Sequence, residues 1–221
     1  MRITRDRKNK IITLDQEQYT KDILEEYGML ECRVASTPAS MEPLSLNMSP
    51  QTEAERAEMK DVPYMQAVGA LNFLASSTRP DISAAVSNVS RFMANPGPKH
   101  WQAVKRIFRY LKGNQRGLRF DGKQELRLEG WCDADFAGDV DRSRSRTGYC
   151  LYLAGAPVSW RSRLQRLAAR STAEAEYMAA ADATGDIMWA RGLLEELGQI
   201  QMGPTVLHED NRCAVIWSKD C

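Results

Sequence analysis

Three acidic residues that lie far apart in the sequence could together bind a divalent cation. They are Asp133 in WCDADFAGD, Glu176 in STAEAEYMAAA and Asp210 in LHEDN. Carboxylate oxygens, with several waters retained, are the ligands that Mg²⁺ prefers in proteins. Two such ions about 4 Å apart can activate a water and stabilise the leaving oxygen in phosphodiester cleavage. Their spacing in the sequence is equally compatible with three unrelated surface acids. Whether they form one site depends on where the helices and strands that carry them lie.

The two glutamates of STAEAEYMAAA have different requirements. Ser171 and Glu174 form an S-x-x-E pattern, which predicts a capping box in which Glu174 reaches back to the Ser171 amide. Glu176 is not explained by capping. Its helical neighbours are the small residues Thr172, Ala173, Ala179 and Ala180. Because a helix face of this kind packs closely on a sheet, a carboxylate there loses contact with water. That desolvation is unfavourable unless a positive charge lies beside the carboxylate. A shared cation would supply that charge.

The second half of the chain predicts the sheet that would position these acids. From about residue 123 the apolar residues alternate, which predicts strands in QELRLEGWCDAD, TGYCLYLAG and APVSWRSR. A helix over 172–197, ended by Gly198, precedes a fourth strand in TVLHED. The order β-β-β-α-β predicts a mixed sheet: three antiparallel strands, then a crossover helix that returns the fourth strand parallel to the first. Asp133, Glu176 and Asp210 would then converge at one edge.

The first half of the chain predicts a mainly helical region. Residues 1–33 read as a hairpin followed by a helix, and residues 34–62, rich in Ser and Pro and then in charge, read as a linker. Residues 63–122 contain three helical patterns, the second of them over 78–95 with Thr78 as its N-cap. Residues 123–221 form the predicted sheet domain. The fold class is therefore α+β or α/β, with a helical region before the sheet.

Composition excludes several classes of protein. The 221 residues are 43% hydrophobic and 27% charged, which is typical of a globular protein, and they contain no apolar run long enough for a membrane span. Five cysteines without a C-x-x-C pair and only two histidines argue against zinc and against a disulfide framework. MRITRDRKNK lacks the apolar core of a signal peptide, so an intracellular setting is expected. The tryptophans at 131, 160, 189 and 217 are expected in the core.

Charge is unevenly distributed although the net charge is only +1. Residues 96–120 contain seven Lys or Arg and no acid, and residues 142–170 contain seven Arg and no acid. From residue 171 onward, nine acids face three bases. Basic stretches beside an acidic one suggest binding of a polyanion next to a carboxylate site. Ordinary solvated faces explain the same pattern equally well.

Six motifs, together spanning nearly the whole chain, resemble the Pol polyprotein of copia-type LTR retrotransposons, from the end of the reverse transcriptase into the ribonuclease H domain. They occur in the family's order and are TLDQEQYTKDILEEYGM, YMQAVGALNFLASSTRPDI, HWQAVKRIFRYLKG, WCDADFAGDVDRSRSRTGYCLYLAGAPVSW, STAEAEYMAAADATGDIMWARGLLEELG and EDNRCAVIWSKD.

The resemblance implies a ribonuclease H-like fold with Asp133, Glu176 and Asp210 as the catalytic carboxylates. They would bind Mg²⁺ or Mn²⁺ and cut the RNA strand of an RNA–DNA hybrid. Basic side chains of the 99–116 helix and of the Arg-rich strand would hold phosphates, which suits recognition by backbone and shape. The expected nucleic-acid contacts are Lys105, Arg106, Arg109, Lys112, Arg161, Arg163, Arg166 and Asn211.

Two departures from the family qualify these expectations. The paired Asp of the family's polymerase is absent from the sequence, so no DNA synthesis is expected. The family also continues into a strand and a helix with a fourth Asp, so a truncated and weakened ribonuclease H is expected, in a cytoplasmic particle or the nucleus. An upstream polymerase part is a possible partner. The alternatives are a non-catalytic nucleic-acid-binding relic and a degenerate fragment that folds poorly.

Overall fold

The computed structural model describes residues 1–219. The chain divides into two compact units: one contains residues 1–3 and 14–118, and the other contains residues 4–13 and 119 onward. Three short strands, β1 (Arg2–Asp6), β2 (Ile11–Asp15) and β3 (Leu118–Asp121), form a sheet in that order. Among the described residues, no helix has both the length and the apolar character needed to cross a bilayer.

The first unit is built on helices. They are α1 (Glu17–Glu26), α2 (Glu53–Met59), α3 (Tyr64–Ser77), α4 (Ser83–Ser90) and α5 (Pro98–Gly113), with 3-10 turns at Leu46–Met48 and Pro80–Ile82. The apolar faces of α1, α3, α4 and α5 meet in one core, where Leu71, Leu74 and Phe108 are fully buried, whereas α2 has no buried residue. The predicted 78–95 helix is wrong at its start. Thr78 is the C-cap of α3, and Pro80 opens a separate 3-10 turn because its ring disfavours helical backbone in the preceding residue.

The segment predicted as a linker, residues 34–62, lies in the first unit and carries α2. Its beginning is held along α5 by backbone and side-chain hydrogen bonds. The amide of Ala35 donates to the carbonyl of Arg109 at 3.2 Å, and Arg106 donates to the Thr37 hydroxyl at 2.8 Å. The segment therefore has defined contacts with the helical core.

The second unit contains a four-stranded mixed sheet in the order β6-β5-β4-β7. β4 (Leu128–Asp139), β5 (Arg144–Leu153) and β6 (Ala156–Leu164) are antiparallel neighbours, and β7 (Val206–His208) lies parallel to β4. The strand topology predicted from the sequence is confirmed. Ala154 and Gly155 join β5 to β6 with positive φ angles of 52° and 74°, as a tight hairpin turn requires.

One long helix, α6 (Thr172–Glu196), covers the sheet and provides the crossover to β7. Ala175, Ala179 and Ala183 are completely buried where α6 packs on β4 and β5. Gly198, at a φ of 72°, follows the end of the helix as predicted. A short helix, α7 (Arg212–Trp217), follows β7. The small residues of α6 thus allow the close approach to the sheet that Glu176 would need.

The expectation that the tryptophans are core residues is wrong for three of the four. Trp131 is 42% exposed, Trp189 is 66% exposed and Trp217 is 46% exposed, whereas Trp160 is partly buried. The core of this unit is filled mainly by alanine and leucine side chains, which leave no room for indoles under α6. Trp131 instead stacks on His208, with ring centroids 4.6 Å apart.

Candidate metal centre

Three separate elements bring Asp133, Glu176 and Asp210 together. Each residue offers a carboxylate oxygen, and these oxygens all lie within 4.8 Å of one another. The register of the parallel strands explains the approach of the two aspartates. Trp131 of β4 lies opposite His208, the last residue of β7, and both aspartates follow two residues later. Asp133 therefore lies where β4 continues beyond the end of its short neighbour.

Glu176 supplies the third carboxylate from the second turn of α6 and is 4% exposed. One of its oxygens accepts a hydrogen bond from the Ala134 amide, while Oε2 is buried with no hydrogen-bond partner in the structure. Burial, and then the negative charges of Glu209, Asp133 and Asp210, raise the pKa of Glu176 from 4.5 to about 7. An orphaned carboxylate oxygen that faces further carboxylates lacks a positive partner.

Glu174 lies at the start of α6 and has a structural role there, but its carboxylate accepts from a different amide than the one predicted. Ser171 is the N-cap of α6, and its hydroxyl accepts from the Glu174 amide at 3.1 Å. The Glu174 carboxylate accepts from the amide of Arg170 at 2.6 Å, and not from the amide of Ser171. Glu174 therefore stabilises the chain entering α6 and points away from the trio.

A fourth carboxylate, Glu209, lies close to the trio and was not predicted. Its Oε2 lies 3.2 Å from the Cys132 thiol, and its Oε1 accepts from the Asn211 amide at 2.9 Å. Its charge is the largest electrostatic cause of the raised pKa of Glu176. The signal available in the sequence was its position directly before Asp210, because two adjacent acids follow the fourth strand.

An open groove of about 670 Å³ runs beside the aspartates. Its lining includes Trp131, Tyr149 and His208 in addition to Asp133 and Asp210. Because β7 has only three residues, it pairs only with the first part of β4. The same edge of β4 beyond Trp131 is not paired with β7. The two aspartates of the trio therefore line a groove with both aromatic and acidic walls.

The basic residues predicted to contact nucleic acid on α5 are engaged within the first unit. Arg106 donates to Thr37, Arg109 donates to the carbonyl of Arg33 at 2.7 Å, and Lys112 donates to the carbonyl of Cys32 at 2.9 Å. These bonds attach the 32–37 segment to α5. Lys105 is partly buried on the same helix.

The predicted contacts in the second unit are distributed differently. Arg163 forms a two-pronged ion pair with Asp182 of α6, with a shortest distance of 2.7 Å, whereas Arg166 is exposed. Arg161 is also exposed and lies over the Tyr149 ring, 5.8 Å from its centroid. Asn211 is the N-cap of α7, and its side chain accepts from the amides of Cys213 and Ala214. The binding roles assigned to these residues stay predictions.

The donor set fits a hard divalent cation. All three groups that converge are carboxylates, which suit Mg²⁺ or Mn²⁺ better than soft cations, and the exposed aspartates leave room for waters. Exposed acids by themselves would be weak support. Oε2 of Glu176, one oxygen of the buried carboxylate in this group, has no hydrogen-bond partner, and this is the independent observation that favours a cation.

Comparison with known proteins shows similarity to transposon polyproteins. The retrovirus-related Pol polyprotein from transposon TNT 1-94 of Nicotiana tabacum is 42% identical over 221 residues, which is all of this chain and 17% of the polyprotein. Proteins similar to this chain therefore include retrovirus-related Pol polyproteins from plant transposons. The chain spans about one sixth of the length of the TNT 1-94 polyprotein.

Two shorter proteins also match this chain. The uncharacterised mitochondrial protein AtMg00810 of Arabidopsis thaliana is 38% identical over 178 residues, 80% of this chain and 71% of that protein. The secreted RxLR effector protein 161 of Plasmopara viticola is 50% identical over 132 residues, 59% of this chain and 93% of that protein. No protein-family model and no solved structure matches the chain.

Proposed function

We propose that this chain is the end of a copia-type reverse transcriptase together with a ribonuclease H domain, and that it hydrolyses the RNA strand of RNA–DNA hybrids with Mg²⁺ or Mn²⁺. The observation that carries the proposal is the convergence of carboxylate oxygens of Asp133, Glu176 and Asp210 within 4.8 Å of one another, together with the buried Oε2 of Glu176 that has no hydrogen-bond partner. The relationship to Pol polyproteins and the mixed sheet with its crossover helix support it.

Each carboxylate would have a distinct task. Asp133 and Asp210 reach the groove from neighbouring strands, so they would hold the cation where a phosphate can approach it. Glu176 is fixed on the Ala-rich face of α6 and would bind from the buried side. When bound there, the divalent cation supplies positive charge against the negative charge that develops in phosphodiester hydrolysis. Without that charge, burial and then the repulsion of the neighbouring carboxylates keep the pKa of Glu176 high.

The substrate would be held by its backbone. Arg161 and Arg166 are exposed on and after β6 and can contact phosphates, whereas Arg163 would first have to give up its ion pair with Asp182. The groove beside Asp133 has aromatic walls in Trp131 and His208, which suit sugars or bases next to the attacked phosphate. Recognition by phosphate and shape, and not by base edges, is expected for an A-form-like hybrid.

The decisive experiment is a cleavage assay on a hybrid whose RNA strand is labelled. We expect the wild-type chain to cut the RNA strand with Mn²⁺ or Mg²⁺ and to be inactive in chelator. Asp133→Asn should reduce the rate at least 100-fold, because it removes the charge of one cation ligand. The matched control is Asp135→Asn, since Asp135 is exposed on the same strand two residues further on and lies outside the trio.

The outcomes separate the possible explanations. Equal losses from both substitutions would show that general negative charge on β4 matters, and not the trio. Cleavage that persists in chelator or in Asp133→Asn would reject the proposed metal centre.

A non-catalytic nucleic-acid-binding relic is the second candidate. The observation in its favour is that this segment also occurs in short proteins: the chain covers 71% of AtMg00810. This candidate predicts hybrid binding that falls steeply with salt, because phosphate contacts release counterions, and no turnover with either metal.

A further inference from the structure

Asp210 lies beyond the end of a very short strand, which raises the question of what holds it in place. The ladder between β4 and β7 has only three residue pairs, ending with Trp131 opposite His208. Asp210 is exposed and follows two residues after the last pair. A carboxylate so placed would move freely unless the residues on each side of it were fixed.

Both chain neighbours of Asp210 are fixed by side-chain hydrogen bonds. Before it, Glu209 accepts from the Cys132 thiol of β4 at 3.2 Å, and the same sulfur lies 3.6 Å from the carbonyl of His208. After it, the Asn211 amide donates to the other oxygen of Glu209 at 2.9 Å. Glu209 thereby connects β4 to the turn on both sides of Asp210.

The hydrogen bonds continue into α7. The Asn211 side chain accepts from the amides of Cys213 at 3.0 Å and Ala214 at 3.1 Å, and Ala214 is buried. Cys132 is itself 7% exposed and belongs to the core between the sheet and α6. The turn is therefore attached at one end to the core of the sheet and at the other to a capped helix.

The Cys132 thiol acts as a donor here, because its sulfur lies 3.2 Å from a carboxylate oxygen of Glu209 and an ionised carboxylate can only accept. A carboxylate that accepts from both a buried thiol and a backbone amide is held in one orientation, since the two bonds use different oxygens.

We propose that Cys132, Glu209 and Asn211 are positioning residues that hold the carboxylate of Asp210 beside the carboxylate of Asp133. This inference rests on the proposed function for its consequence, which is tighter cation binding, but its structural claim can be measured without any cation. Groups that orient metal ligands typically change metal affinity by about 10- to 100-fold when removed. The trio is therefore expected to depend on a thiol that does not touch the cation.

The test uses Glu209→Ala and Cys132→Ala, with Cys132→Ser as the conservative variant. The matched control is Glu129→Ala: Glu129 is an acid of β4 that pairs with Val206 in the ladder and has its ion pair with Arg127, not with the turn. Hydrogen exchange of individual amides in metal-free protein is measured first. Manganese affinity is then measured by titration calorimetry.

We expect Glu209→Ala to speed exchange at the amides of residues 211, 213 and 214 by at least tenfold and to weaken Mn²⁺ binding by about 10-fold or more. Cys132→Ala should do the same to a smaller degree, and Cys132→Ser should restore much of the loss because its hydroxyl also donates. Glu129→Ala should leave exchange at these amides unchanged.

Unchanged exchange at these amides in Glu209→Ala would overturn the inference. Faster exchange in a chain whose wild type binds no Mn²⁺ would support the positioning while rejecting the proposed metal function. Faster exchange together with unchanged Mn²⁺ affinity would overturn the claim that the turn positions a ligand.

Discussion

Glu174 and Glu176 show how two identical side chains, two positions apart, acquire different properties. Glu174 is partly buried and accepts from the amide of Arg170, which precedes the helix. Glu176 is buried on the sheet side, where three other carboxylates surround it. The helical rotation of about 200° over two residues separates the two roles.

The raised pKa of Glu176 leads to a prediction about stability without metal. Its pKa in the folded chain, about 7, exceeds the ordinary value of 4.5. A group of this kind contributes stability that is fully present below pH 4.5 and is lost as the pH rises to about 7. Relative to Glu176→Gln, the wild-type chain in chelator should lose about 2–3 kcal/mol of unfolding free energy between pH 5 and pH 8. Urea denaturation at the two pH values measures this difference.

Glu174→Gln is the control for this experiment. It should lower stability by about 0.5–1 kcal/mol at both pH values, because it weakens a helix start and leaves the trio intact. Adding Mn²⁺ at pH 8 should restore the lost stability of the wild type and of Glu174→Gln, but not of Glu176→Gln. A wild-type chain that follows the pH dependence of Glu176→Gln would mean that Glu176 is not desolvated as the structure has it.

At the scale of secondary structure, α6 is the element on which the site depends. It is attached to β5 and β6 by polar contacts in addition to its alanine face. Asp186 accepts from the hydroxyls of Tyr149 at 2.7 Å and Ser159 at 2.9 Å, and Asp182 pairs with Arg163. These contacts fix the rotation of α6 about its axis and its position along the sheet. They therefore also fix the position of the Glu176 carboxylate.

Ala179, one turn after Glu176, tests the close approach of α6 to the sheet. Ala179 is completely buried, so Ala179→Leu must push the helix away from β4 and should destabilise the chain by about 1–3 kcal/mol. It should also weaken Mn²⁺ binding, since the Glu176 carboxylate moves with the helix. Chemical denaturation and manganese titration measure the two effects.

Ala181→Leu provides the comparison, because Ala181 is exposed on the same helix. It adds the same side chain and should change stability by less than about 0.5 kcal/mol. Similar destabilisation by both substitutions would indicate an effect of helix propensity. It would contradict the explanation that Ala179 is required for close packing of α6 on the sheet.

At the scale of the whole molecule, the chain has two cores. One is formed by α1, α3, α4 and α5, and the other by α6 and the four-stranded sheet. The carboxylate trio belongs to the second. A cation that binds only the folded form stabilises the unit that contains its ligands.

Hydrogen exchange with and without Mn²⁺ should reveal this division. At about 100 times the dissociation constant, bound metal contributes about 2.7 kcal/mol, equivalent to about 100-fold slower exchange through unfolding of that unit. Peptides from β4, α6 and β7 should slow down, and peptides from α3 and α5 should not. Equal slowing throughout the chain would instead indicate that both units unfold together.

Hydrophobic patterning determined much of this protein in advance. Alternation from residue 123 and the helical period after Ser171 were enough to predict the strands and the crossover helix, because these depend on neighbours within a few residues. The β-β-β-α-β order then predicted that the fourth strand is parallel to the first. The residue types of Asp133, Glu176 and Asp210 also suggested a hard cation before any distance was known. The start of α4 was missed because Pro80 acts on the backbone before it.

Only the tertiary structure decided which side chains meet. Cys132 and Glu209 are 77 positions apart, and their contact depends on the register of two parallel strands. The hydrogen bond from Arg109 to the carbonyl of Arg33 and the exposure of Trp131 likewise depend on how the elements pack against one another. Local patterns specify which face of an element is apolar. The pairing of polar groups across elements is decided by packing, because it requires atoms within hydrogen-bonding distance in three dimensions.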